Sequence, residues 1–427
     1  MAPSKQTSLQ ILQQGFQAGL DAVRPDKFMA DVSAKITARH PAGKTVILGV
    51  GKAAGAMVDG YFANGGTADD TLIILPSSVE RGGNAHLPRH AKIHCSAHPV
   101  PDEQSEQAAR AALSLSRSLT TDDRLIVLLS GGGSSLMSLG LDGISLADKK
   151  SLNQALLDSG MPIQEVNIIR KHLSAVKGGR LAAAAFPASI ETYALSDVPD
   201  DDPSAIASGP TVGDNSSKED ALRLLQHYNI TVPAHIHQIL SDERCETPHP
   251  ADPLFANTRF EIVASAKLAL QAAGDEMRKR GYDVVICDED YQLDTKTLAD
   301  VMCDKLSALP PGSALISGGE ASVAVKGDGV GGRNAQFALE MAMRNLPDIC
   351  GIACDTDGID GARANAGACF YDGICDDAAE QGIDIADYYA RFDSHSFFEK
   401  MNCHIVTGAT QTNVNDLRIL IKGYPKR

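Results

Sequence analysis

The sequence predicts an α/β protein of two domains, and three observations carry that reading. Short apolar runs alternate with amphipathic stretches along nearly the whole chain, the pattern of βα units built around a mostly parallel sheet. A length of 427 residues is that of about 2 to 3 domains, each large enough to bury its own core without metal or disulfide staples. The segment Ser241 to Pro253, SDERCETPHPADP, is rich in proline and charge and lacks periodicity, so it reads as a linker. Domains are expected over residues 1–245 and 254–427.

Strands are expected at Thr45 to Val50, Thr71 to Leu75, Ala91 to Cys95, Leu125 to Leu129 and Thr192 to Leu195, short segments set between amphipathic stretches. Helices are expected between them, as at Glu103 to Leu119 and Leu146 to Ser159, where apolar residues recur at helical spacing. After the linker come strand Phe260 to Ala264, helix Ala266 to Arg280, strand Asp283 to Cys287 and helix Thr295 to Leu309. Strands Ala314 to Ser317 and Ser322 to Val325, helix Asn334 to Arg344 and strand Cys350 to Cys354 follow.

Composition excludes several function classes. With 54 Asp+Glu against 39 Lys+Arg the formal charge is −15, and that field repels phosphate backbones and anionic bilayers. A nucleic-acid or membrane partner is therefore not expected. A small anionic substrate remains open if cations gather at one place. The run Asn167 to Arg180, NIIRKHLSAVKGGR, is such a gathering, although a charged run most often marks a solvated helix face. No stretch nears the roughly 18 apolar residues of a membrane span. The N-terminal residues lack the continuous apolar core of a secretory signal. The 9 cysteines include no C-x-x-C pair, which suits scattered thiols in a reducing compartment, so a cytoplasmic protein is expected.

Four turns at the carboxyl ends of expected strands hold the candidate chemistry, because open α/β sheets bind ligands there. The first, TVILGVGKAAGAM, places Gly49, Gly51 and Ala54 on a G-x-G-x-x-G/A template. The acidic residue that a dinucleotide site needs at the end of the next strand is missing, since Asp69 and Asp70 precede that strand. Lys52 in this turn puts positive charge at a helix start, which suits a bound anion. The second, LLSGGGSSL, offers the backbone N–H groups of Ser130, Gly131, Gly132 and Gly133 and the hydroxyls of Ser134 and Ser135 to an anion. It carries no P-loop lysine, and no complete P-loop motif occurs in the chain. The third, LSDVPDDDPSAIASGPTVGD, brings Asp197 nearest a strand end, where a carboxylate takes a proton from a hydroxyl or holds Mg²⁺; Asp200 to Asp202 read as a solvated loop.

The fourth is ALISGGEASVAVKGDGVGGRNAQFALEMA with IACDTDGIDGARANAGA. Gly327, Gly329 and Gly332 spell a second G-x-G-x-x-G but lead out of a hairpin strand; with Gly331 they form an expected anion nest ending in Arg333 and Asn334 at a helix start, and Arg333 suits bidentate capture of a carboxylate or phosphate. Glu320, Asp355, Asp357 and Asp360 add hard oxygen ligands of the kind that hold Mg²⁺, although the pairs Asp357-Gly358 and Asp360-Gly361 also form ordinary turns. His86, His90, His94 and His98 recur every four residues, but Pro88 and Pro99 prevent one continuous helix, so a metal role is not expected.

The ordered set GVGKAAGAM, HPVPD, LLSGGGSSL, NIIRKHLSAVKGGRLA, LSDVPDDDPSAIASGPTVGD, GGEASVAVKGDGVGGRNAQFALEMA, DTDGIDGARANAGA and TNVNDL, across residues 49 to 417, resembles the class II glycerate 2-kinases, whose C-terminal half carries the MOFRL domain. The resemblance implies a Rossmann-like N-terminal domain with a mostly parallel sheet, a smaller mixed α/β C-terminal domain and an active site in the cleft. It implies ATP and Mg²⁺ as cosubstrates and D-glycerate as acceptor, giving 2-phosphoglycerate, and it leaves the assembly open to a homo-oligomer. Carried over by motif, Lys52 and Arg333 are the cations on substrate or transferring phosphate. Asp197 orients or deprotonates the hydroxyl or helps hold Mg²⁺. Glu320, Asp355 and Asp357 are metal or nucleotide ligands, and Asn413 is a ligand contact. The segment TGATQTNVNDL departs from the family in Ala409 and Gln411, where Pro and Gly are common. Two rival readings stand beside the kinase: an NAD(P)H-dependent hydroxypyruvate reductase, a name often attached to relatives, and a non-catalytic anion-binding module.

Overall fold

The computed structural model describes residues 5–38, 41–78, 85–287, 292–325, 327–361 and 363–425. The chain divides into two compact units, Phe28–Val263 and Met1–Lys27 with Ala264–Arg427.

The unit Phe28–Val263 is built on strands β1 (Thr45–Val50), β2 (Asp70–Pro76), β3 (Lys92–Ser96), β4 (Arg124–Leu129), β5 (Ser189–Leu195) and β6 (Thr258–Ala264), in the order β3-β2-β1-β4-β5-β6. The pairs β2/β3, β1/β2, β1/β4 and β4/β5 are all parallel. β1 and β4 are buried along their whole length, which explains why both read as unbroken apolar runs rather than alternating ones. The chain winds outward from β1 through β2 to β3 and then crosses back to β4. The strand order therefore reverses between β1 and β4, and a crevice opens at their carboxyl ends. This is the Rossmann-like, mostly parallel layer expected from the sequence.

The other unit carries a six-stranded mixed sheet of β7 (Asp283–Ile286), β8 (Ser313–Ser317), β9 (Ile349–Asp355), β10 (Gly367–Phe370), β11 (His404–Ile405) and β12 (Asp416–Lys422), in the order β11-β10-β9-β12-β8-β7. Only β7/β8 is parallel; the other four pairs are antiparallel. The segment Ser322 to Val325, expected as a strand, makes a single bridge from Ser322 to Asp294. The edge of β8 that it would have used is taken by β12, which registers Arg418 on Ser317 and Lys422 on Ser313.

The division departs from the expected one at both ends. β6 is hydrogen-bonded into the first sheet, so that unit runs past the linker at 241–253 to Val263. The N-terminal helix Lys5–Val23 belongs to the second unit. Its Leu12, Phe16 and Leu20 enter the core formed by Met277, Leu315, Phe337 and Ile419. It lies close against helix Ala266–Lys279 because Gly15 and Gly19 offer no side chain on the facing stripe. A Cβ on Gly19 would sit 2.8 Å from the carbonyl oxygen of Ala269 and 2.6 Å from Leu417 Cδ2. Gly19→Ala is expected to destabilise this unit by about 1–3 kcal/mol through overpacking, although alanine is the better helix former, as read in urea unfolding.

Candidate anion-binding site

At the exit of β1, Gly51 takes φ of 124°, and a Cβ there would lie 2.3 Å from Ser130 Oγ, so glycine is required for the β1 and β4 turns to meet. The backbone amides of this turn are already engaged. Gly51 N–H donates to the Ile74 carbonyl (3.1 Å), Lys52 N–H to the Gly131 carbonyl (2.9 Å) and Ala53 N–H to Ser130 Oγ (3.0 Å). A G-x-G-x-x-A turn binds pyrophosphate through such amides, so here the motif fixes the neighbouring turn instead of cradling a dinucleotide. Ser130, expected as a ligand contact, spends its hydroxyl oxygen on that bond and is fully buried.

The turn after β4 is the opposite case. Among the described residues, the N–H groups of Gly131, Gly132, Gly133 and Ser134 meet no acceptor, which leaves a run of inward donors suited to an anion. Gly132 is left-handed at φ 82°, and a Cβ on it would reach His98 Nε2 at 3.0 Å and Lys52 Cγ at 3.6 Å. Lys52 and His98 thus flank the turn. Asp197, just past β5, lies against it as well: a Cβ on Gly131 would fall 1.9 Å from Asp197 Oδ2. Lys52, Gly51, Ser130 to Ser135 and Asp197 are therefore one cluster at the switch point. Ser134 Oγ is 2.9 Å from Ser208 Oγ, and Ser135 Oγ donates to the Gly132 carbonyl (3.1 Å).

Beside this turn is a cavity of about 350 Å³ into which Lys149, Arg170 and Lys177 converge, with Leu152 and Leu156 as apolar wall. Lys177 Nζ donates to the Ser134 carbonyl (2.6 Å), Lys149 Nζ to Ser138 Oγ (2.7 Å) and Arg170 Nε to Asn153 Oδ1 (2.7 Å). Among the described residues no carboxylate comes within 4.0 Å of any of the three, so their bonds all go to neutral oxygens. Burial lowers the Lys149 ammonium to about 8; the charge of Arg170 pushes the same way and that of Glu106 partly opposes it. Lys177 is driven well below the ordinary lysine range by burial, then by Lys149 and Arg170. His98 is also lowered, by burial and then by Lys52. Lys149 and Arg170, with no carboxylate within 4.0 Å among the described residues, make a local positive pole in a protein of charge −15, and an anion relieves it.

Lys149 holds its proton more weakly folded than unfolded, so stability rises as pH climbs from about 8 toward its unfolded value of 10.5, where only the unfolded chain stays charged. An anion bound in the cavity favours the charged form and should flatten that rise. Thermal unfolding at pH 7 to 10, with and without substrate, is expected to show a ligand-induced increase in Tm that shrinks above pH 8.

The other basic side chains of the Asn167 to Arg180 run do structural work. Lys171 Nζ pairs with Asp214 Oδ1 (3.3 Å), His172 Nδ1 is 2.9 Å from the Cys245 carbonyl, and Arg180 Nη2 donates to that same carbonyl (2.8 Å). Lys149 carries a sequence signal. It falls on the Leu152–Leu156 stripe of helix Leu146–Asp158, where an apolar residue would be expected. His98 carries no comparable signal, because only the fold brings it to Gly132.

In the second unit, Arg333 opens helix Arg333–Met343 and faces three carboxylates. Its Nε donates to Asp416 Oδ1 (2.9 Å), its Nη1 is 3.4 Å from Glu320 Oε1, and its Nη2 is hydrogen-bonded to Asp355. Burial opposes the guanidinium charge, but Asp416, Asp355 and Glu320 outweigh it and hold Arg333 above its ordinary range. Asp355 is raised well above the carboxylate range, by burial and then by Asp416 and Asp357. The anion nest expected at this helix start is filled by the chain itself: Asp360 accepts from Asn334 N–H (2.9 Å) and Ala335 N–H (2.8 Å), and a Cβ on Gly332 would strike its carboxyl. Asn334 is fully buried, with its amide on Asp416 (2.7 Å), which removes it from the contacts open to a ligand. Asp357 accepts from Ile359 N–H (2.8 Å), the Asp-Gly turn geometry. Asn413 accepts from Asn415 N–H (3.1 Å). Gly331, Gly332 and Arg333 line a pocket of about 420 Å³ walled by Val323, Val325 and Phe392. Gln411, where the family commonly has glycine, takes φ of 60°, a backbone that costs a side-chain-bearing residue about 1–2 kcal/mol.

Among the described residues no three His, Cys, Asp or Glu side chains are grouped to hold a metal ion, and no helix is long and apolar enough to cross a membrane. All 9 cysteines are free thiols. Residues 11–241 match the model of a domain of unknown function, DUF4147, and residues 313–416 match the MOFRL family. The chain is 38% identical over 395 residues to an Agrobacterium vitis protein provisionally named a hydroxypyruvate reductase, covering 90% of this chain and 88% of that one. It is 32% identical over 416 residues to the D-glycerate 2-kinase of Thermotoga maritima, covering 94% and 95%. The crystal structure of the Thermotoga maritima glycerate kinase superposes with a TM-score of 0.86 over 98% of this chain and 100% of that one. Sequence, domain order and fold agree, and the chain belongs to the MOFRL-containing glycerate 2-kinase family of kinases.

Proposed function

We propose that this kinase transfers the γ-phosphoryl group of ATP, with Mg²⁺, to the 2-hydroxyl of D-glycerate, giving 2-phosphoglycerate. The observation that carries the proposal is the convergence of Lys149, Arg170 and Lys177 beside four unengaged backbone donors at the switch point. Phosphoryl transfer is largely positioning and charge neutralisation, and this cluster supplies both, with no carboxylate within 4.0 Å of its three basic side chains among the described residues. In this reading Lys149 and Arg170 hold the glycerate carboxylate, Lys177 braces the Ser134 turn, and the Gly131–Ser134 amides hold phosphate oxygens. Lys52 neutralises charge on the transferring group, and Asp197 orients the hydroxyl and takes its proton. Mg²⁺ bound with nucleotide phosphates needs only one or two protein carboxylates, and Asp197, at the switch-point cluster, is of the right chemistry. The metal would neutralise phosphate charge in the transition state. The free thiols suit a reducing cytoplasm.

The reductase name borne by the Agrobacterium vitis relative gives the second reading. Against it stand the engaged amides of the Gly51 turn and the missing ribose-binding acid. The test is a product assay with D-glycerate, ATP and Mg²⁺ followed by ³¹P NMR, beside hydroxypyruvate with NAD(P)H. A 2-phosphoglycerate signal that vanishes without Mg²⁺ is expected. Nicotinamide oxidation without phosphoryl transfer would overturn the proposal.

A further inference from the structure

We propose that Ser134, Lys177 and Ser208 form a nucleophilic centre that hydrolyses short esters bearing a free carboxylate, an activity distinct from phosphoryl transfer. Ser134 follows a buried strand through a glycine turn, the arrangement that presents a nucleophile at the end of a parallel sheet. Lys177 is hydrogen-bonded to Ser134 Oγ and lies 3.4 Å from Ser208 Oγ, while the two serine oxygens are 2.9 Å apart, so the three polar atoms form a closed triangle. Ala207 and Ser208 both have left-handed backbone, φ 49° and 61°, a conformation held against its cost that places the second hydroxyl.

Each requirement of nucleophilic catalysis has a group in place. A base within reach of the nucleophile must be neutral, and Lys177, buried beside Lys149 and Arg170, is held well below the lysine range. Charge developing on a carbonyl oxygen needs oriented donors, and the N–H groups of Gly132, Gly133 and Ser134 are unengaged among the described residues. Access is through the 350 Å³ cavity, whose Lys149 and Arg170 suit a carboxylate and whose Leu152, Leu156 and Leu157 suit a short alkyl chain.

In the first step Ser134 Oγ bonds to the ester carbonyl carbon as its proton passes to the Lys177 amine. The carbon–alkoxy bond then breaks, and that proton moves through the Ser208 hydroxyl to the departing alkoxide. In the second step water attacks the acyl-Ser134 carbonyl, giving its proton to Lys177. Ser134 leaves and regains that proton, so the products are one acid and one alcohol.

The test uses the full-length protein without ATP or Mg²⁺, so that failure here leaves the glycerate kinase reading to its own assay. Mono-4-nitrophenyl adipate and the uncharged 4-nitrophenyl hexanoate are compared, and phenylmethanesulfonyl fluoride is used to trap the nucleophile. Expected are faster turnover of the adipate ester, an about hundredfold loss in both Ser134→Ala and Lys177→Met, and a sulfonyl adduct mapped by peptide mass spectrometry to Ser134. Lys177→Met also removes a bond to the turn carbonyl, so Ser134→Ala and the adduct decide the matter should it fail to fold. Equal rates in wild type and Ser134→Ala, no preference for the carboxylate, or an adduct elsewhere or nowhere would overturn the proposal.

Discussion

Arg333→Ala should cost about 3–5 kcal/mol of stability, because it strips the cation from Asp355 and Asp416, which are both almost fully buried. Asp355 is already raised by burial and by Asp416, with Arg333 the chief counterweight, so its removal leaves two facing carboxylates that cannot both stay ionised. Arg418 also bonds Asp416 and retains part of the network. The loss should be smaller at low pH, where protonated carboxyls no longer need the guanidinium. Urea unfolding at pH 5 and pH 8 reads this directly. A variant that unfolds like wild type at both pH values but has lost activity would show that Arg333 serves the ligand rather than the carboxylates around it.

Gly131→Ala should lower kcat/KM for D-glycerate by about a hundredfold with little change in Tm. The new methyl would fall 1.9 Å from Asp197 Oδ2, the far end of a side chain rather than backbone, so the carboxyl has to shift. A displacement of about 1 Å in a group that positions the reacting hydroxyl is enough for a loss of that size. Steady-state kinetics with a thermal melt decide it: near-normal kcat/KM would place Asp197 away from the reacting atoms. Gly133→Ala makes a useful contrast, since its Cβ would meet Ala207 Cβ at 2.8 Å and strain the turn itself.

The parallel sheet was legible because β1 and β4 are buried on both faces and so appear as unbroken apolar runs ending in glycine. The second sheet was less so. β10 and β11 are only four and two residues long, and β12 follows a loop of Thr and Asn residues, too little chain to show a period. In the candidate cluster, Ser134 and Asp197 stand out in the sequence because glycine density and strand-end position are local signals. Arg170 and Lys177 were visible only as part of a charged run, because the sequence does not distinguish cations aimed into a cavity from Lys171 and Arg180, which tie down a neighbouring loop. The partners of Arg333 were half hidden for the same reason. Glu320 and Asp355 lie in recognisable motifs, but Asp416 reaches the guanidinium from a strand 83 residues away.

The helix Lys5–Val23 packs into the core of β7–β12, whose last strand ends at Lys422. A chain emerging from the ribosome therefore exposes Leu12, Phe16 and Leu20 first and meets their partners last. Residues 28–263 can collapse on their own sheet while translation continues, whereas the leading helix has to wait with its apolar face uncovered. At 5–20 residues per second that wait is on the order of tens of seconds, long enough for a chaperone to become its first partner.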